Sequence, residues 1–139
     1  MNEKISILLV EDDHVDIMTI KRAFKDLKIT NPVNVCENGL EALDFLRNPQ
    51  KQFPGVILLD LNMPKMNGIE FLQEIKDDEQ FKSIPVVVLT TSKEEQDKVE
   101  SFKLGVAGYM IKPVDYMQFV EIIRTIHLYW TLSEIPVED

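Results

Sequence analysis

Asp60 closes the apolar run "VILLD" at residues 56–60, and Asn62, Pro64, Asn67 and Gly68 follow at once. Glu11, Asp12 and Asp13 close the run "ILLVEDD" in the same way, while "VVVLTTS" ends on Thr90, Thr91 and Ser92 and "GYMIKP" delivers Lys112 before Pro113. An aspartate at a strand end is often only a turn former. Acids after the first strand can equally be helix caps, because a helix N-terminus favours negative charge. Capping explains Asp12 or Asp13 taken alone, but it leaves Asp60 unexplained. Carboxylates gathered within a few ångströms repel by about 1 kcal/mol per pair even in a wet setting. A fold accepts that cost when a cation or a proton relieves it, and hard oxygen ligands suit Mg²⁺. A carboxylate, a divalent cation, a hydroxyl and an ammonium around one crevice make a site for phosphoryl chemistry.

The elements that must gather these residues are legible as alternation. Short apolar runs at 5–10, 32–37, 55–60, 85–90 and 107–111 are separated by segments of helical period. Ile17, Ile20, Phe24 and Leu27 share one stripe, as do Leu40, Leu43 and Leu46, then Ile69, Leu72 and Ile75, and finally Phe119, Ile122, Ile123 and Ile126. The segment from Lys93 to Leu104 has only Val99 and Phe102 as clear apolar positions, so the fourth helix is expected to be the least firmly held. Near-continuous Val, Ile and Leu in the strands implies a sheet covered on both faces. Five β–α units in succession predict an α/β, flavodoxin-like (βα)5 fold: a five-stranded parallel sheet in the order 2-1-3-4-5, with helices on both faces. In that order the loops after strands 1 and 3 splay apart at the carboxyl edge. Strand 1 delivers Glu11, Asp12 and Asp13 there and strand 3 delivers Asp60, so that at least three carboxylates converge on one crevice.

The chain has 139 residues, 45% of them hydrophobic, which suits one core. The expected division is a domain over 1–131 and a C-terminal tail over 132–139. Against 24 Asp and Glu stand 15 Lys and Arg, a formal net charge of -9, which argues against a nucleic-acid partner. The single cysteine, Cys36, excludes an internal disulfide and reads as a small buried side chain. No stretch approaches the ~18 apolar residues of a membrane span, and a cytoplasmic protein is expected. His14 reads as a helix-start residue and His127 as packing or surface.

The motifs "LLVEDD", "LLDLNMPKMNG", "VVVLTTS" and "GYMIKP", in this order and at these spacings, resemble the receiver domain of two-component response regulators over residues 4 to 127. The resemblance implies that Asp60 accepts a phosphoryl group from a sensor histidine kinase. Asp12 would ligate Mg²⁺ directly, Glu11 through water, and Asp60 and the main-chain carbonyl of Asn62 would complete the protein's share of ligands. Thr90 and Lys112 would bind the phosphoryl oxygens, and Tyr109 would be the aromatic switch. Asn62 and Ser92 would tune hydrolysis. It implies a signalling protein rather than an enzyme, one that transfers the phosphoryl group to itself and loses it slowly to water. Glu11 stands where many receivers have Asp, which lengthens the arm and keeps the charge. The ending "HLYWTLSEIPVED" is similar to tails of small regulators that work with bacterial phytochrome kinases, which makes such a kinase a candidate donor. A homodimer could form through the last helix, through the face of helix 4, strand 5 and helix 5, or through the tail. Trp130 would either lie on that surface or fold back on its own domain. A flavodoxin-type FMN site is disfavoured, because "EDDHVD" would repel a phosphate. A haloacid-dehalogenase-type phosphatase is disfavoured by Asn62 in place of a second Asp. A silent docking module is disfavoured by the joint presence of Asp60, Thr90 and Lys112.

Overall fold

The computed structural model describes residues 6–50, 53–112, 117, 118, 120, 121, 124 and 125. Five strands alternate with four bounded helices: β1 Ser6–Val10, α1 His14–Asp26, β2 Val33–Cys36, α2 Gly39–Arg47, β3 Pro54–Leu59, α3 Gly68–Lys76, β4 Val86–Thr90, α4 Glu95–Lys103 and β5 Gly108–Ile111. All pairings are parallel and the strand order is β2-β1-β3-β4-β5, as the alternation of apolar runs predicts. The described positions 117, 118, 120, 121, 124 and 125 are helical. The stripe Phe119, Ile122, Ile123 and Ile126, residues Pro113, His127, Tyr129 and Trp130, and the boundary at 131/132 lie outside the described residues.

Period-two alternation divides the sheet between two cores. Ile7, Leu9, Val56, Leu58, Val87 and Leu89 face α1, where Ile17, Ile20, Ala23 and Phe24 meet them. Leu8, Val10, Ile57, Leu59, Val86 and Val88 face α2 and α3, where Ala42, Leu43, Leu46, Phe71, Leu72 and Ile75 meet them. Each fully buried aliphatic or aromatic side chain contributes about 1.5–3 kcal/mol relative to exposure. Helices α1, α2 and α3 are each held by several.

Helix α4 is not, since Ser101 is its one buried residue and Glu94 at its N-cap makes no side-chain capping bond. Val99 and Phe102, expected to hold it, are 44% and 49% exposed. The expectation of a loosely held helix stands, but its two apolar residues face outward rather than forming a thin core stripe. Leu40 is a similar correction. It lies in the first turn of α2 and is exposed, while Ala42, Leu43 and Leu46 carry the packing. Ile69 is only half-buried beside Leu72 and Ile75. No helix among the described residues is long and apolar enough to cross a membrane.

Candidate functional site

Three backbone hydrogen bonds set the carboxyl edge of the sheet. The residue just past each strand donates its N–H to the last residue of a neighbour: Glu11 to the Cys36 carbonyl at 2.9 Å, Asp60 to Val10 at 3.0 Å, and Lys112 to Thr90 at 2.7 Å. The strand ladder is thereby carried one residue beyond the strands, and side chains 49 and 101 positions from Glu11 are locked beside it. Carboxylate oxygens of Glu11, Asp12 and Asp60 lie within 4.8 Å of one another. Glu11 is 1% exposed and Asp60 6%, while Asp12 is half-buried.

The competing roles of the first acidic run separate cleanly. Asp13 is the N-cap of α1, its carboxylate accepting from the N–H groups of Val15 at 2.9 Å and Asp16 at 3.1 Å. Glu11 and Asp12 are left for the cluster. His14 opens α1 and is exposed, as a helix-start residue should be. Cys36 is buried, and burial followed by the charge of Glu41 pushes its thiol up to about 11.

Lys112 is the cation of the cluster. Its Nζ lies 2.5 Å from Glu11 Oε1, 2.7 Å from Asp16 Oδ2 and 3.9 Å from Asp60 Oδ1. One ammonium does not offset this many acids in a desolvated place. Burial raises Glu11 to about 7, with the charge of Asp60 adding to the effect and the bond to Lys112 opposing it. Burial likewise raises Asp60, opposed by Lys112 and the Asn62 backbone N–H and assisted by Asp12. Burial would lower Lys112, but its bonds to Asp16 and Glu11 outweigh that and hold it above the usual lysine value. Asp60 Oδ1 is buried with no hydrogen-bond partner among the described residues. A buried oxygen left without a donor, among three hard carboxylates of net negative charge, fits a small divalent cation that keeps part of its water.

Thr90 and Tyr109 belong to a second layer. The Thr90 hydroxyl, fully buried, accepts from the Ser92 N–H at 3.2 Å and from Asn62 Nδ2 at 3.4 Å. Asn62 Nδ2 also donates to Thr91 Oγ1 at 3.1 Å. Ser92 is the hub: its hydroxyl donates to Asp97 Oδ2 at 2.6 Å and its carbonyl accepts from the Tyr109 hydroxyl at 3.2 Å. The Tyr109 ring lies tilted against Phe102, centroids 6.4 Å apart. A continuous chain of contacts runs from the strand-4 hydroxyl to α4 and β5.

Asp16 is the site residue that sequence reading missed. A first-turn helical acid is indistinguishable from an ordinary partner of the helix dipole until the fold brings Lys112 to it.

The chain belongs to the response regulator receiver domain family, whose model matches residues 7–124. It is 38% identical over 129 residues to the response regulator Rcp1 of a Synechocystis strain, covering 89% of this chain and 87% of that protein. A crystal structure of Rcp1 in its Mn²⁺-bound form superposes with a TM-score of 0.82 at 36% identity, over 95% of this chain and 99% of that one. The structure of the phosphorylated cyanobacterial phytochrome response regulator RcpA superposes with a TM-score of 0.81 at 38% identity, over 96% and 99%.

Proposed function

We propose that the chain is a response regulator whose Asp60 accepts a phosphoryl group from the phosphohistidine of a sensor kinase, with Mg²⁺ held by Glu11, Asp12, Asp60 and the carbonyl of Asn62. The observation that carries this is Asp60 Oδ1, buried and without a hydrogen-bond donor between two carboxylates and an ammonium 3.9 Å away. Asp60 forms the new O–P bond as the N–P bond to the donor imidazole breaks, and the imidazole takes up a proton. When bound, Mg²⁺ supplies charge neutralisation between an anionic nucleophile and an anionic donor. Lys112 takes the charge growing on the phosphoryl oxygens, and Thr90 offers its O–H to one of them. Asn62 and Ser92, each donating to the Thr90 hydroxyl, would govern water's approach to the acyl phosphate. The protein acts in the cytoplasm as a phosphoacceptor rather than as an enzyme with a released product. The direct test is labelling by acetyl phosphate with Mg²⁺, which should modify the wild type with one phosphoryl group.

The cyanobacterial phytochrome response regulator RcpA supports a phytochrome-type kinase as donor. Exposed Val99 and Phe102 on α4 and Ile111 on β5 support a homodimer through that face. The route through the tail falls on residues outside those described, and so does the apolar stripe of the last helix.

Mg²⁺ should raise the melting temperature, because a ligand selective for the folded state stabilises it. At about 100 times its Kd the expected rise is on the order of 10 °C. Asp12→Ala should remove most of it, and equal shifts in both proteins would sink the metal assignment. The response should also shrink as pH falls through about 7, where Glu11 takes up the proton that competes with the cation.

Phosphorylation should reach the surface through Thr90. Drawn toward the new phosphoryl group, its hydroxyl loosens the Ser92 N–H, and Ser92 holds both Asp97 and Tyr109. Tyr109 then turns inward, and α4, with one buried residue, is the element that yields. Thr90→Ala should still bind a beryllofluoride mimic of the phosphoryl group yet lose most of the change in amide exchange over residues 91–111. Equal changes in wild type and variant, with both loaded, would refute this route.

A further inference from the structure

The N3 acid of α1 behaves differently from those of the two helices that follow. In α3, Glu70 closes a capping box, accepting from the Asn67 N–H at 3.0 Å. In α2, Glu41 occupies the same position after the cap Asn38 and accepts from the Glu37 N–H at 3.1 Å. In α1 the corresponding residue is Asp16, and the amide it would close on, that of Asp13, donates to Glu11 Oε2 at 3.2 Å instead. The Asp16 carboxylate, released from capping, accepts from Lys112 Nζ at 2.7 Å.

The ammonium has three protons. Two are committed to Glu11 at 2.5 Å and Asp16 at 2.7 Å, and Asp60 Oδ1, at 3.9 Å, is out of hydrogen-bond reach. Glu11 is wholly buried, so releasing it would strand a charge. Asp16 is 34% exposed at its side chain, against 12% for Lys112, and water can replace the lysine there. Of the two bonds, the one to Asp16 is the cheaper to break.

We propose that Asp16 is a positioning residue for Lys112: it holds the ammonium away from Asp60 in the unphosphorylated protein and yields it when a phosphoryl group arrives. The first turn of α1 thereby becomes a second element, besides the Thr90 route, that senses the modification. This inference rests on Asp60 being the phosphoacceptor.

The experiment follows the rate of acetyl-phosphate labelling at subsaturating donor in Asp16→Asn, Asp16→Glu and Asp13→Asn. Asp13→Asn keeps a competent cap and removes the same charge from the same turn without touching Lys112. Partly exposed pairs of this kind alter rates by up to roughly fivefold, so Asp16→Asn is expected to label about threefold to fivefold faster than wild type. Asp16→Glu, which restores the charge and the reach, should return toward the wild-type rate, and Asp13→Asn should change it by less than about 1.5-fold, since an exposed charge away from the bond is screened. A wild-type rate in Asp16→Asn, or an equal acceleration in Asp13→Asn, overturns the proposal. A double-mutant cycle of Asp16→Asn with Lys112→Met, read by urea unfolding without divalent cation, measures the pair independently of phosphoryl transfer. It should show a coupling of roughly threefold or more in the folding equilibrium constant, and its absence would overturn the proposal even if no variant labels. Absent labelling in the wild type itself would instead count against Asp60 as acceptor.

Discussion

Asp60→Asn should abolish labelling by acetyl phosphate while leaving the protein folded. The amide is nearly isosteric with the carboxylate, but its oxygen is a poor nucleophile and forms no stable acyl phosphate. Glu11 is a poor substitute, because it is tied to Lys112 and the Asp13 N–H. Loss of label from unfolding can be told apart by the sign of the stability change. Burial raises the Asp60 carboxyl above its ordinary value, so the folded protein binds its proton more tightly than the unfolded chain does. That contribution to stability is present below the unfolded pKa and is lost as pH rises through the folded one. Asn carries no charge to bury and escapes the loss. Above neutral pH and without Mg²⁺, Asp60→Asn should therefore melt at or above the wild-type temperature. Undiminished labelling of a folded Asp60→Asn protein would move the acceptor to another residue.

The same sign governs Glu11, raised to about 7 mainly by burial. Between about 4.5 and about 7 the folded protein holds a proton that the unfolded chain releases. Without divalent cation, stability should fall as pH rises across that window. Mg²⁺ held by the cluster, as proposed, should reverse the trend, because it would replace the proton as the partner of the carboxylates. Under the proposed function, the acid cluster would be a place where the fold gives up stability at its site.

How far the sequence discloses this protein depends on whether a residue's role is local or contingent on a distant partner. The strands are visible because both faces of the sheet are covered, which forces runs such as Val56–Leu59 to be apolar throughout. The strand order then places Glu11, Asp12, Asp60, Thr90 and Lys112 at one edge, so most of the site follows from topology. Asp13 is ambiguous until backbone N–H groups are seen to point at it. Val99, Phe102 and Leu40 show the limit of periodicity: an apolar residue at helical spacing need not face the core when its helix lies thinly on the sheet or when it sits in the first turn. Asp16 is invisible in principle, since nothing local separates it from any first-turn acid. Gly68 stands in the motif "MNG" in plain sight, yet its reason is a close approach that no local pattern encodes.

That approach supports the second large effect. A Cβ on Gly68 would sit 2.6 Å from the Asp60 carbonyl oxygen, 2.7 Å from Leu61 Cα and 2.8 Å from Leu61 Cδ2. The first two are backbone atoms that no rotamer change can move. The Gly68 N–H also donates to the Leu61 carbonyl at 3.0 Å, closing the loop that leaves β3 back onto its start. Helix propensity and packing make opposite forecasts here. As the first residue of α3, Gly68→Ala should gain at most about 1 kcal/mol from propensity. Against that, forcing a methyl into a filled space costs about 1–3 kcal/mol, and branching at Cβ makes it worse. Packing should win. Gly68→Ala should lower the urea midpoint, and Gly68→Val should lower it further, by about 3 kcal/mol or more in unfolding free energy. Because the displaced atoms belong to Asp60 and Leu61, acetyl-phosphate labelling should fall as well, even under conditions where the variant remains folded. A Gly68→Ala protein as stable as wild type, with undiminished labelling, would show that the β3–α3 loop can shift without cost and that the close approach does not hold Asp60 in place.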